Sequence, residues 1–214
     1  MNYLEDNWIQ AVWFDAFWTL IESRSTSVKY FYSLIKKYWW DASKIKFMTT
    51  NYSTNPELFY KETIDKSWID FEQISNEEKD KLLLAFNEDF ENYKLIDWTE
   101  KLIEQVKSQV DYTFLISNLS SLYIPVIQKL WLENYFTFVL YSCELWIKKT
   151  PHNTKIFDFA WVYLNTHPDT KIIIQRDKTI FTWDNPRDDI KSAKNAWFQA
   201  IEINNFKDII LNNK

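Results

Sequence analysis

Ile9-Gln10-Ala11-Val12-Trp13-Phe14-Asp15 is the stretch whose reading decides the fold. It is a short apolar run that closes on a carboxylate, consistent with a strand buried on both faces. Outward from it the pattern changes twice. Ser25 to Tyr93 reads as helical, with polar breaks around Thr49 to Pro56. Its clearest start is Ile74-Ser75-Asn76-Glu77-Glu78, where Ser75 can cap, Glu78 can reach back and Ile74 can act as a staple. The helix that follows, Glu77 to Tyr93, carries Leu82, Leu83, Phe86 and Phe90 on one face.

From Asp97 onward strands and helices alternate. Helix Thr99 to Gln109 leads to strand Tyr112 to Ser117, then helix Leu122 to Leu130 and strand Phe136 to Tyr141. Helix Thr154 to Leu164 leads to strand Thr179 to Thr182, helix Asp188 to Ala196 and strand Gln199 to Ile203. Such alternation predicts an α/β fold, a parallel sheet with helices on both faces. The helical stretch after the first strand predicts an inserted cap. The expected division is a core of residues 1–22 and 97–214 and a cap of residues 23–96.

Composition narrows the function classes. The chain has 214 residues, 46% hydrophobic and 26% charged, the balance of a globular protein. A net charge of −5 argues against a nucleic-acid or anionic-membrane surface, either of which asks for a basic face. No apolar run is long enough to span a bilayer, and the acidic start is unlike a basic signal peptide. With one cysteine, Cys143, no disulfide framework or Cys metal cluster is expected, and a cytoplasmic location fits. A buried thiol is the expectation for Cys143. His152 and His167 lack metal-ligand spacing and read as loop residues.

One feature departs from this ordinary picture. The sequence holds no glycine and twelve tryptophans. At usual frequencies about 15 glycines are expected, and drawing none has odds on the order of one in ten million. Trp39-Trp40, Trp131, Trp183 and Trp197 each stand where a helix or strand pattern ends, a place where glycine is the usual solution. The tryptophans therefore read as standing for glycines, through a UGA codon that the source reads as glycine or through deliberate replacement.

In an open parallel sheet, ligands bind beyond the carboxyl ends of the strands. The polar residues there are Asp15, Ser117 with Asn118, Ser142, and Asp184 with Asp188 and Asp189. Acidic groups converging on one crevice call for a hard cation between them, and Mg²⁺ fits. Lys148 and Lys149 can offset the charge of an anionic substrate. Such a set suits phosphoryl transfer, where positioning and charge neutralisation do most of the catalysis.

These residues also resemble a known family. Phe14-Asp15-Ala16-Phe17-Trp18-Thr19-Leu20, with glycine read at 18, resembles the first motif of the haloacid dehalogenase superfamily. Leu115-Ile116-Ser117-Asn118 resembles the second. Glu144 to Pro151, with glycine at 146, resembles the third, and Trp183-Asp184 through Asp189 to Trp197 the fourth. The resemblance implies a Rossmann-like core with an inserted helical cap. It implies a Mg²⁺-dependent hydrolase, a phosphatase acting on a small phosphorylated metabolite through an aspartyl-phosphate. Asp15 would be the nucleophile, and Ser117, Asn118, Trp18 and Thr19 would surround the phosphate. Lys149, or Lys148, would offset its charge. Asp15, the Phe17 carbonyl, Asp184 and Asp189 would hold the metal.

Two departures keep other readings in view. Phe17 stands where the family's phosphatases carry a proton-donating Asp. The dehalogenase branch carries an aromatic residue there and uses no metal, yet it lacks the acidic spacing of Asp184 and Asp189. No arginine follows soon after Arg24 to hold a halo-acid carboxylate. Thr150 also separates Lys149 from Pro151, where the third motif has Lys-Pro. Dehalogenation of a small halo-acid is the second reading, and a degenerate member that binds without turnover is the third. As written, Trp18 and Trp183 are expected to crowd the phosphate loop and the metal site.

Overall fold

The computed structural model describes residues 3–22, 26–38, 53, 55–65, 70–147, 153–184 and 189–212. The apolar run around Val12 forms strand β1 (Ala11–Phe14), wholly buried, after a short helix α1 (Tyr3–Asp6). β1 is the centre of a five-stranded parallel sheet completed by β4 (Tyr112–Ser117), β5 (Phe138–Tyr141), β6 (Thr179–Trp183) and β7 (Gln199–Glu202). The strand order is β5-β4-β1-β6-β7. Phe14 lies opposite Leu115 on one side and Thr182 on the other.

Alternation along β1 splits the core into two layers, as a two-faced sheet requires. Val12 and Phe14 face α5 (Thr99–Lys107), α6 (Ile124–Lys129) and α10 (Ile203–Asn212), burying Leu102, Ile103, Val126, Phe206 and Ile210. Ala11 and Trp13 face α8 (Lys155–Thr166) and α9 (Asp189–Asn195), with Phe157, Ala160, Leu164 and Ala193. Each large apolar side chain buried in this way contributes about 1.5–3 kcal/mol.

Between the first two core strands runs the helical segment: α2 (Thr26–Lys37), α3 (Pro56–Asp65) and α4 (Asn76–Asn92). Local signals explain its starts. The Asn55 carboxamide oxygen accepts from the Leu58 amide at 3.0 Å, with Pro56 as first helical residue. Ser75 and Glu78 form the expected capping box at the head of α4. Phe31, Leu34, Phe59, Ile64, Leu82 and Phe86 make a separate apolar cluster, which Leu122 joins from the sheet side. The chain enters and leaves this segment side by side: β2 (Ile21–Glu22) pairs antiparallel with β3 (Lys94–Leu95).

Among the described residues the elements agree with the sequence reading to within a few residues, and several are additional, among them α1, α10, the β2–β3 pair and α7 (Ser142–Leu145). Trp183 is no hinge: it ends β6 fully buried, in edge contact with Phe181 (3.7 Å between centroids) and stacked on Phe157 (6.1 Å). Its indole lies in the α8-side layer of the core. Trp131 and Trp197 do stand between elements, with positive φ. Trp39 and Trp40 lie outside the described residues. No helix among the described residues is long and apolar enough to cross a membrane.

Candidate active site

Parallel strands deliver their C-terminal residues to one edge, and that geometry gathers the candidate side chains. Asp15 follows β1, and its amide donates to the Thr182 carbonyl at 3.2 Å, extending the ladder. Ser117 is the last residue of β4, Asp184 follows β6, and Ser142 follows β5 opposite the end of β4. With strands about 4.8 Å apart, the structure sets Asp15 between the ends carrying Ser117 and Asp184. Asp15 is 9% exposed and Ser117 is buried, while Asn118 and Asp184 are half-buried.

The loop after Asp15 folds back on itself. The Ala16 carbonyl accepts from the amides of Leu20 (2.8 Å) and Ile21 (3.0 Å), and the Trp18 amide donates to Ile21 (3.0 Å). This tight turn buries Thr19 completely, its hydroxyl without a hydrogen-bond partner among the described residues, and sends the Trp18 indole outward, 55% exposed. Trp18 achieves this with φ 66°, in the left-handed region. The Leu20 carbonyl accepts from the Ile96 amide and the Thr99 hydroxyl, tying the loop to the exit of the helical segment.

Phe17 turns toward the helices. Its ring meets Tyr93 edge-on at 5.4 Å and Tyr123 at 5.7 Å. Tyr123 also contacts Phe86 of α4. Burial pushes the Tyr123 hydroxyl well above the usual phenol range, with the nearby Tyr60 and Tyr93 adding to it. This aromatic wall is the part of the site that sequence reasoning missed, because nothing local links Phe17 to Tyr93 or Tyr123.

Ser142 is also placed differently from its expectation as a chemical group. Its hydroxyl accepts from the Leu119 amide and donates to the Leu119 carbonyl, so it holds the loop carrying Asn118. Lys148, Lys149, Thr150, Pro151, His152 and Asp188 lie outside the described residues. Asp189 opens α9, its side chain outside the described part. His167 packs against the Phe138 ring at 4.8 Å, and Cys143 is buried in the core.

Among the described residues no three His, Cys, Asp or Glu side chains gather as a metal cluster. The donors at this edge are oxygens: the Asp15 and Asp184 carboxylates and backbone carbonyls. That set fits Mg²⁺, which is typically bound through one or two carboxylates and keeps several waters.

No protein-family model matches the chain, and no curated protein does. Solved structures match it at low identity over nearly its whole length. A haloacid dehalogenase (HAD) family enzyme from Bacteroides thetaiotaomicron is 15% identical with a TM-score of 0.63, covering 91% of this chain and 93% of its own. That enzyme has also been solved with magnesium and inorganic phosphate. A predicted phosphoglycolate phosphatase from Haemophilus somnus is 15% identical, TM-score 0.58, covering 97% and 99%. A 2-haloacid dehalogenase from Pseudomonas syringae is 16% identical, TM-score 0.56, covering 91% and 86%. The chain therefore has the Rossmann-like α/β fold of the HAD enzymes.

Proposed function

We propose that this chain is a HAD-superfamily hydrolase, a Mg²⁺-dependent phosphatase acting on small phosphorylated molecules. The observation that carries the reading is Asp15: a buried carboxylate at the end of the central strand, flanked by the strand ends bearing Ser117 and Asp184. In this reading an Asp15 oxygen attacks phosphorus and the ester P–O bond breaks. The departing oxygen takes a proton from water, since Phe17 offers none. Water then attacks the phosphorus of the aspartyl-phosphate, the bond to Asp15 breaks, and phosphate leaves with the carboxylate restored. Ser117 and Asn118 orient the phosphate, with the Trp18–Thr19 turn bounding it, and Lys149 offsets its charge.

Asp15, the Phe17 carbonyl, Asp184 and Asp189 would hold Mg²⁺, which when bound supplies charge neutralisation for the phosphoryl oxygens. Residues 23–96 serve as a cap over this edge. The side-by-side β2–β3 entry and the separate apolar cluster of α2, α3 and α4 support that division.

A second reading is dehalogenation, favoured by the aromatic setting of Phe17 between Tyr93 and Tyr123. The deciding experiment follows phosphate release from small phosphomonoesters with and without Mg²⁺, using Asp15→Asn as the blank. Metal-dependent release lost in the blank supports the proposal. Halide release from 2-chloropropionate that persists in chelator, with no phosphate release, overturns it.

A further inference from the structure

Every residue described with a positive φ is a tryptophan: Trp8 (57°), Trp18 (66°), Trp131 (55°), Trp146 (55°) and Trp197 (67°). In this region a Cβ crowds the backbone, and the residues other than glycine that tolerate it best are Asn and Asp. The chain is rich in both, yet no described Asn or Asp is used there.

Hydrogen bonds show what the positions are. After α9 the Trp197 amide donates to Lys194 and the Phe198 amide to Ala193. After α1 the Trp8 amide donates to Glu5 and the Ile9 amide to Leu4. After α7 the Trp146 amide donates to Cys143 and the Ile147 amide to Ser142. Each pair is the 5→2 and 6→1 bonding of a Schellman helix ending, and each tryptophan sits where that ending takes glycine. The apolar contact that accompanies the ending is present too: Ile9 with Leu4, and Phe198 with Ala193, are buried in common clusters. Trp131 follows α6 with the same left-handed backbone, its amide on Gln128. Trp18 occupies the tight turn after Asp15.

Exposure separates these five from the other described tryptophans, of which Trp98 and Trp161 are half-buried. The five indoles are 55–79% exposed, whereas Trp13 and Trp183 are wholly buried among aromatic rings. At the five positions the fold uses a left-handed backbone and leaves the indole largely in solvent.

We infer that residues 8, 18, 131, 146 and 197 are glycine positions, and that the functional form of this protein carries glycine at each of them. The inference extends to the site through residue 18, whose left-handed backbone sets the turn beside the nucleophile; that extension rests on the proposed function. Trp13 and Trp183 fall outside it, since neither strand position needs glycine.

The test compares two five-fold variants, one with Gly and one with Ala at 8, 18, 131, 146 and 197. Both lose the indoles, and they differ only in the Cβ, so the comparison needs no folded parent. Urea unfolding of the glycine form is expected at the higher midpoint, and placing Ala at position 197 alone within that form is expected to lower the folding equilibrium constant roughly fivefold or more. Trp13→Gly added to the glycine form is expected to lower its midpoint, because it opens a cavity between Phe114, Phe157 and Phe198. An alanine form as stable as the glycine form, or more so, overturns the inference. Unfolding midpoints are independent of turnover, so a failed phosphatase assay would not change this comparison.

Discussion

The hydroxyl of Ser142 and the backbone of Leu119 bond reciprocally, amide to hydroxyl at 3.1 Å and hydroxyl to carbonyl at 3.2 Å. This clamp ties the loop after β4 to the end of β5 and fixes the segment that carries Asn118. Both partners are buried, so Ser142→Ala strands an amide away from water. A loss of about 1–3 kcal/mol in urea unfolding is expected. Under the proposed phosphatase reading, phosphate release should fall with it, since the loop at Asn118 loses its anchor.

Asp89 performs a similar service for the helical segment. Its buried carboxylate accepts from the Thr26 amide (3.0 Å), the Ser27 amide (2.7 Å) and the Ser27 hydroxyl (2.7 Å). A residue near the end of α4 thus satisfies the first turn of α2 and places negative charge at its positive end. Asp89→Ala is expected to cost about 2–3 kcal/mol, read as a lower urea midpoint. Asp89→Asn keeps one acceptor oxygen and should fall between the two.

These two contacts mark the boundary of what the sequence made legible. The capping box of Ser75 and Glu78 was readable because its partners stand three residues apart, and α4 starts where it predicts. The parallel sheet was readable because alternation leaves few topologies open. Asp89 was not readable as a cap, because its partners are distant in sequence and only the folded chain joins them. Ser142 read as a candidate for chemistry because strand-end position alone cannot distinguish a hydroxyl facing ligand from one facing a loop. Helix α10 was legible in the spacing of Ile203, Phe206 and Ile210, but the strand reading ended at Ile203 and concealed it. At the candidate site, Asp15 and Ser117 emerged from strand ends, whereas the wall around Phe17 required tertiary contacts.

Glu78 gives the helical segment a pH dependence of known sign. Donation to its carboxylate from Lys37, then from the Tyr38 hydroxyl at 2.7 Å, holds it at about 2 against an ordinary 4.5. A lowered carboxylate stabilises the fold fully above pH 4.5 and progressively less as pH falls toward 2. Lys37 is largely in solvent, so the contribution is on the order of 1 kcal/mol. Glu78→Gln should therefore be less stable than the parent at pH 6, and the difference should shrink between pH 4.5 and 2. Urea titrations of both forms across that range check it.

Cys143 should be inert in the folded protein. Burial first, and then the charge of Glu144, push its thiol up to about 11 from 9.0. Two units mean roughly a hundredfold less thiolate at pH 8, and the thiolate is the reacting species. Iodoacetamide should modify the native chain at least about 100-fold more slowly than the urea-unfolded chain. Equal rates would place the thiol in solvent and contradict the packing behind β5.

Phe17 sets the strongest expectation for chemistry under the proposed phosphatase reading. Its ring is fixed by edge contacts with Tyr93 and Tyr123, so the position two residues after Asp15 donates no proton. A leaving oxygen must then depart as an anion or be protonated by water, and its own acidity governs the rate. Aryl phosphates should turn over far faster than alkyl phosphates, by about 100-fold or more. Phe17→Asp restores a donor at that position and should raise alkyl turnover by roughly 10²-fold, narrowing the gap. The same change removes two aromatic contacts worth about 0.5–1.5 kcal/mol each, so its urea midpoint should drop. A variant that loses this stability while its leaving-group preference stays unchanged would show that another group supplies the proton, and residue 17 would then be only part of the wall.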